Sequence, residues 1–215
     1  MRHYSKRAAP ASFVTWKDKA NADWQPSYGS LQNPEKRVLQ QALLDEQGQL
    51  CCYCGRSITL ADSHIEHFRS QEQREDLALD FENLLASCIR ETEPGAPLHC
   101  GHAKGHDFDE VLHVSPLDPT CEGRFGYLLT GAIVSKDAGA SYMTALLKLD
   151  IEFLRNRRGE ALARVFDAEF IGSATVDELK TLARVNRLPD EKGTHESFGH
   201  VVARFAEQLL ESEGS

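Results

Sequence analysis

Four cysteines in the first half of the chain have the spacing of a metal site. Cys51 and Cys54 form a CxxC pair, and Cys88 and Cys100 follow across a longer segment. A CxxC turn lets two thiolates reach one tetrahedral ion, and two further cysteines complete a shell without an open coordination position. The spacing therefore predicts a structural Zn²⁺ site. The alternative is a set of free, buried cysteines that pack as small hydrophobic side chains.

The other two cysteines, Cys52 and Cys121, are expected to lie outside the zinc site. Cys52 could replace Cys51 only through a CxC pair with Cys54, which is a rarer arrangement in zinc knuckles. A redox CxxC pair would be expected beside a βαβ pattern, and the surrounding sequence has none. Six cysteines in a chain of 215 residues do not form a disulfide scaffold.

A second set of polar residues is interleaved with the cysteines. Glu66 and His67 lie in a segment whose alternation predicts a half-buried strand. Asn83 begins an apolar run, and His102 and Lys104 follow the last cysteine. Histidine titrates near neutral pH and can act as a general base, whereas carboxylates and imidazoles bind divalent ions. A lone histidine is more often structural than catalytic, but histidines, a carboxylate and an asparagine interleaved with a zinc site argue against a purely structural role.

Five motifs carry a family resemblance: CCYCGRSI, HIEHFRSQ, FENLLASC, HCGHAKG and VSPLDPTCEGRF. They resemble the motifs of the HNH endonucleases, and more specifically those of the PtuB-like HNH proteins in retron-associated and Septu anti-phage systems. The resemblance covers about the first three-fifths of the chain. It implies a ββα-metal core, in which two strands and a helix surround a catalytic divalent ion.

The resemblance also gives each candidate site residue its role. His67 matches the general base, and Asn83 matches the residue that steadies the hairpin loop and the base. Glu66 and His102 match the two protein ligands of a catalytic Mg²⁺ or Mn²⁺ ion. Lys104 matches the basic, substrate-binding residue that follows them.

Two positions depart from the family pattern. Glu66 stands where an aspartate is commoner, and Gly101 stands where a metal ligand normally follows the last cysteine directly. His102 lies one residue further on and is therefore a less direct match than His67. An imidazole ligand would also suit Ni²⁺ or Zn²⁺ at the catalytic position.

The function implied by the resemblance is metal-dependent hydrolysis of phosphodiester bonds in DNA or RNA. The protein would be the toxic effector of a retron or Septu defence system, controlled by a PtuA-like ATPase. A retron reverse transcriptase and its DNA are further expected partners. The alternative is a non-catalytic zinc-knuckle adaptor that binds nucleic acid or a protein partner. Such an adaptor has no need for Glu66, His67, Asn83 and His102 to converge.

Charge and hydropathy restrict the expected surroundings of the protein. The net charge is −9, which argues against a large non-specific nucleic-acid surface because such a surface would be basic. Contacts with phosphate would come from the basic first forty residues and the arginines at 155, 157 and 158, or from a partner protein. The alternative is that these basic segments are ordinary solvent-exposed surface. No apolar run is long enough to span a membrane, and the start lacks a signal-peptide core, so a cytoplasmic protein is expected.

Hydrophobic periodicity, together with the resemblance, predicts an α+β protein with a ββα-metal core and a zinc knuckle inside a mostly helical body. The expected regions are an N-terminal arm and helix (1–48), the zinc-stapled nuclease core with following short strands (49–135) and a C-terminal helical region (136–215). Trp16, Trp24 and Tyr28 are expected to pack the arm against the body. The expected elements are a helix capped by Asn33 and ending at Gln47, a strand over 64–68, a helix over 83–88, strands over 111–115 and 127–134, and helices over 141–162, from Thr175, and over 194–211.

Overall fold

The structure is a computed structural model that describes residues 1–213, and it combines helices with two small antiparallel sheets. The predicted mixture of helix and sheet is confirmed. In chain order the elements are α1 (Ala11–Lys17), α2 (Glu35–Glu46), β1 (Ser63–His67), β2 (Leu84–Cys88), α3 (Gly101–Lys104), β3 (Phe125–Tyr127), β4 (Ile133–Ser135), α4 (Ala138–Leu146), α5 (Glu152–Ala163), α6 (Ala168–Ser173), α7 (Val176–Val185) and α8 (Gly199–Glu213).

The first sheet carries most of the candidate site residues. Strands β1 and β2 are antiparallel, with Ser63 opposite Cys88 and His67 opposite Leu84. The predicted strand over 64–68 is thus confirmed within one residue at each end. Every residue of β2 is buried, and Leu39, Leu43 and Leu44 of α2 are completely buried. Helix α2 packs against this sheet, and burying each such leucine contributes about 1.5–3 kcal/mol.

The N-terminal arm packs against the body partly through the expected aromatic residues. Trp16 is buried, and its ring meets the ring of Trp24 edge to face with centroids 5.6 Å apart. Lys6 of the arm forms a buried ion pair with Glu46 at the end of α2, with nitrogen and oxygen 2.7 Å apart. Helix α2 is therefore tied to the arm by this ion pair and by its contact with α1.

The C-terminal part consists of helices α4 to α8. The region over 141–162 forms two helices, α4 and α5, as the predicted helical character requires. Thr175 and Glu178 form the predicted capping box, in which each side chain bonds the other residue's backbone N–H. The apolar stripe of α8 is buried against α5 and α7, with Val201, Val202 and Phe205 on the inner face. No helix within residues 1–213 has the length and apolar character needed to cross a membrane.

Two predicted elements adopt a different secondary structure. The predicted helix over 83–88 is wrong, because Leu84–Cys88 is strand β2; a short apolar run fits either element, and pairing with β1 decides. The predicted strand over 111–115 is also wrong. Asp109 accepts hydrogen bonds from the backbone N–H groups of Val111 and Leu112, which makes a turn.

Three predicted boundaries also differ. Helix α2 is preceded by Pro34 without a side-chain cap, so the predicted Asn33 cap is wrong. The strand over 127–134 is a hairpin of β3 and β4, turned at Gly131 with a φ of 79°. Helix α8 begins at Gly199 instead of residue 194, because Thr194 is held in a turn that is closed by the Asp190 carboxylate.

Candidate functional site

The four predicted zinc cysteines meet in space. The sulfur atoms of Cys51, Cys54, Cys88 and Cys100 all lie within 4.8 Å of one another, and all four residues are buried. The sulfurs of Cys54 and Cys88 are 3.9 Å apart, close to the spacing of about 3.8 Å that a tetrahedral zinc–thiolate centre requires. The donor set therefore fits a structural metal ion such as Zn²⁺. Cys52 and Cys121 lie outside this group.

The protonation of these thiols also favours a bound cation. Burial and the neighbouring thiols raise the pKa of Cys100 well above its ordinary value. Burial likewise acts to raise the pKa of Cys51, but hydrogen bonds from the neighbouring cysteines outweigh it and lower that pKa. Without a metal ion the cluster thus favours one deprotonated cysteine and disfavours further ones. A bound cation is needed for all four cysteines to be thiolates. His99, which the sequence analysis missed, lies beside it with Nδ1 3.2 Å from the Cys100 sulfur.

His67, the predicted general base, lies at the end of β1 with a fixed ring. Its Nε2 donates to the carbonyl oxygen of Ala78 at 3.0 Å. Its Nδ1 accepts from the side-chain amide of Gln71 at 3.4 Å. The Tyr28 ring packs edge to face against the imidazole, with centroids 4.4 Å apart. The tautomer with the proton on Nε2 leaves the Nδ1 lone pair as the basic site.

Burial gives His67 the charge state of a base. The residue is 7% exposed, and burial lowers its pKa below the ordinary value more strongly than the Ala78 hydrogen bond raises it. The imidazole is therefore neutral at pH 7. Tyr28, Gln71 and Ala78 also line a surface cavity of about 480 Å³. A water that reaches Nδ1 must displace the Gln71 amide.

Asn83 closes the long connection between β1 and β2. Its amide oxygen accepts from the backbone N–H of Arg69 at 2.8 Å. Its amide nitrogen donates to the carbonyl oxygens of Arg69 at 2.9 Å and Leu77 at 3.2 Å. The side chain thus joins the two ends of the connection that also supplies Ala78. This geometry is what a residue that steadies the hairpin loop requires.

Glu66 leaves β1 on the opposite face from His67, as successive strand residues do. The Tyr53 hydroxyl donates to its Oε1 at 3.0 Å, and the Lys104 ammonium lies 3.0 Å from the same oxygen. His64 Nε2 lies 3.3 Å from Oε2. Burial raises the pKa of Glu66, but these partners outweigh it and the net pKa is lowered. Glu66 is therefore an ionised carboxylate inside the protein.

Lys104 faces inwards. It is 2% exposed, and besides its contact with Glu66 its ammonium donates to the backbone carbonyl of His67 at 2.9 Å. The ammonium thus connects helix α3 to the end of β1. In this position it acts on Glu66 and the backbone, and the predicted contact with substrate stays a prediction.

His102 is separated from Glu66 by His64. Both imidazoles donate to the carbonyl oxygen of Ile89, from His102 Nε2 at 2.7 Å and from His64 Nδ1 at 2.8 Å. Their ring centroids are 4.7 Å apart. His64 was missed by the sequence analysis, although the i, i+2 spacing of His64 and Glu66 on a strand places both on one face.

Gly101 explains one departure from the HNH pattern. A Cβ atom at this position would lie 2.3 Å from Glu66 Oε2 and 2.7 Å from His64 Nε2. A side chain here would require the Glu66 carboxylate and the His64 imidazole to move. In this structure, residues of β1 occupy the space that a ligand from the helix would fill.

The structure thus divides the predicted polar set into two groups. His67 and Asn83 lie with the connection between the strands, whereas Glu66, Lys104 and His102 lie towards α3. Among residues 1–213, the cysteines are the single cluster of three or more potential ligand residues that converge tightly enough for an ion. On the α3 side, two atoms that could bind a metal ion face each other, Glu66 Oε2 and His64 Nε2, 3.3 Å apart.

Comparison with known proteins gives one curated relative. No family model matches the chain. The chain is 28% identical over 101 residues to the "Retron Vc95 putative HNH endonuclease" of Vibrio cholerae serotype O1 biovar El Tor. The match covers 46% of this chain and 47% of the relative, so the chain spans about half the length of that protein. Together with the motifs around the cysteines, this match supports a relationship to the HNH endonuclease family.

Proposed function

We propose that the protein is a metal-dependent HNH endonuclease that hydrolyses phosphodiester bonds of DNA or RNA. The observation that carries this function is the state of His67: a buried, neutral imidazole whose Nε2 is fixed by the Ala78 carbonyl. It lies at the end of a strand pair that is followed by a short helix, the element order of a ββα-metal core. A curated relative named as an HNH endonuclease supports the same activity.

The roles of the residues follow from their contacts. His67 Nδ1 takes the proton of the attacking water, and the hydrogen bond to Ala78 keeps the ring in the orientation that presents this nitrogen. Asn83 fixes the connection that carries Ala78. An Mg²⁺ or Mn²⁺ ion at Glu66 would act as a Lewis acid on the scissile phosphate and neutralise the leaving oxygen. The cysteine-bound zinc would be structural because four thiolates leave no open position.

The biological setting is also a proposal. The relative is named after a retron, which supports a place in an anti-phage defence system as its toxic effector. Control by a PtuA-like ATPase, with a retron reverse transcriptase and its DNA nearby, would fit a nuclease with a net charge of −9. Such a protein gains little from non-specific attraction to nucleic acid and needs a partner to bring it to its substrate.

The test is cleavage by the purified, zinc-loaded protein, alone and with its ATPase partner. Plasmid DNA and total cellular RNA are incubated with Mg²⁺, Mn²⁺ or EDTA. We expect metal-dependent cutting that His67→Ala abolishes and His106→Ala retains, since His106 is an exposed histidine outside the site. Cutting that survives in His67→Ala would contradict the assignment of the base. Zinc-loaded wild-type protein that cuts neither substrate under any condition would favour the adaptor function.

A further inference from the structure

We propose that His64 and Glu66 bind one divalent metal ion, so that two protein ligands of this ion come from strand β1. His64 has no role in the HNH pattern as read from the sequence. The use of this site in catalysis depends on the nuclease function proposed above, whereas its geometry does not.

The first observation is the close approach of two atoms that could bind a metal ion. His64 Nδ1 lies 2.8 Å from the Ile89 carbonyl oxygen and must donate its proton there. Nε2 faces Glu66 Oε2 at 3.3 Å. Either a proton on Nε2, which makes an imidazolium–carboxylate ion pair, or a metal ion lies between the two atoms. Adjacent ligand atoms on an ion with bonds of about 2.1 Å are about 3.0 Å apart at right angles and about 3.4 Å apart at tetrahedral angles.

The second observation is the orientation of the histidines by one backbone carbonyl. Imidazole ligands usually donate their other N–H to a carbonyl or carboxylate, which fixes the ring. The Ile89 carbonyl serves both His64 and His102 in this way. Ile89 has a φ of 66°, a conformation that a β-branched residue rarely adopts and that costs about 1–3 kcal/mol. A strained residue whose carbonyl orients two imidazoles indicates a functional arrangement.

The third observation is the space made by Gly101. Its missing side chain leaves room for Glu66 Oε2 and His64 Nε2, which lie within 3 Å of where a Cβ would be. The imidazole of His64 on β1 thus takes the place of a ligand at position 101 of α3. The other carboxylate oxygen, Oε1, is held by Tyr53 and Lys104, so Oε2 remains available to an ion.

The donor chemistry selects the kind of ion. One imidazole nitrogen and one carboxylate oxygen suit Mn²⁺, Ni²⁺ or Zn²⁺, and suit Mg²⁺ less well. His102 lies beside His64, and its Nδ1 has no hydrogen-bond partner within residues 1–213. The His64 side chain is 24% exposed, so solvent reaches the pair from that side.

The test is Mn²⁺ binding to zinc-loaded protein, with free Mn²⁺ counted by electron paramagnetic resonance. We expect one site in the wild type, weakened at least about tenfold in His64→Ala and in Glu66→Gln. The control is His106→Ala, which removes an exposed histidine whose Nδ1 is 3.5 Å from the Glu72 carboxylate. This control should bind Mn²⁺ as the wild type does. Wild-type affinity in His64→Ala, or no binding by the wild type, overturns the site; in that case a proton lies between His64 and Glu66.

A second measurement covers the case in which His64→Ala does not fold. Substoichiometric Mn²⁺ added to the wild type should broaden the ring proton signals of His64 before those of His106. Broadening that leaves His64 unaffected overturns the site. The nuclease function is tested separately, because His67→Ala should bind Mn²⁺ normally and fail to cut. Cutting by His67→Ala would contradict the role of His67 as the general base, but it would leave the conclusion on Mn²⁺ binding unchanged.

Discussion

Replacing Lys104 with methionine tests whether the inner ion pair holds the hairpin to helix α3. The substitution removes the ammonium and keeps most of the side-chain volume. Two contacts disappear, with Glu66 Oε1 at 3.0 Å and with the His67 carbonyl at 2.9 Å. The side chains of Lys104 and Glu66 are 1% and 7% exposed, so water cannot replace the lost charge.

The size of the effect follows from that burial. Removing one partner of a buried ion pair costs about 3–5 kcal/mol because the other charge stays behind without compensation. His64 and the Tyr53 hydroxyl still contact Glu66, which places the loss at the lower end of this range. The unpaired His67 carbonyl adds about 1 kcal/mol. We therefore expect Lys104→Met to lower the free energy of unfolding by about 3–4 kcal/mol.

The assay is chemical denaturation with zinc present, arranged as a double-mutant cycle with Glu66→Gln. If the two charges stabilise each other, the double variant should lose clearly less than the sum of the single variants. Lys136→Met is the control, since its ammonium pairs at 3.5 Å with an exposed carboxylate, and it should change stability by no more than about 0.5 kcal/mol. A loss below about 1 kcal/mol in Lys104→Met, or strict additivity, would refute the reasoning.

Three further predictions concern zinc and pH. Cys100→Ser should lose the bound zinc and its helical circular dichroism, whereas the control Cys121→Ser should keep both. Metal analysis and circular dichroism spectra check this prediction. A Cys100→Ser variant that still binds zinc would contradict the four-cysteine site. Because the pKa of His67 is lowered, the acid limb of the cleavage rate against pH should lie below pH 6.5, and a limb above pH 7 would exclude His67 as the base. Burial holds the pKa of His200 well below its ordinary value, so the unfolded state binds more protons as the pH falls below 6.5. Stability should then drop by up to about 1.4 kcal/mol per pH unit in denaturation curves, and His200→Gln should reduce that slope.

The metal-binding cysteines could be predicted from the sequence because the CxxC spacing is local chemistry. Ligand residue types and a tight turn define the first half of the site without any knowledge of the fold. The charge state of His67 is different, since it depends on burial by Tyr28 and on a carbonyl eleven residues away in the chain. Family resemblance named the residue, but only the folded connection shows which nitrogen is free.

The contacts on the α3 side of the site could not be predicted because they depend on how β1, β2 and α3 pack together. The expected strand over 64–68 already places His64 and Glu66 on one face, but the segment 84–88 that pairs with this strand had been expected to be helical. Lys104 was expected to contact substrate because it is a cation near a phosphate site. Its inward direction follows from the packing of Gly101 on Glu66, which the sequence does not encode locally.

The zinc cluster and the polar site are joined by single peptide bonds, which makes the two sites energetically dependent. Ile89 follows Cys88, and Gly101 follows Cys100. Ile89 and Cys100 have φ values of 66° and 57°, and such conformations cost about 1–3 kcal/mol each. Structural zinc contributes about 10–16 kcal/mol in small domains, which is ample to hold both residues in place. We predict that removal of bound zinc would let Ile89 relax and withdraw the carbonyl that orients His64 and His102, and would let Cys100 relax and move Gly101 away from Glu66. Zinc ligation by the cysteines would then set the geometry in which an imidazole and a carboxylate of β1 face each other.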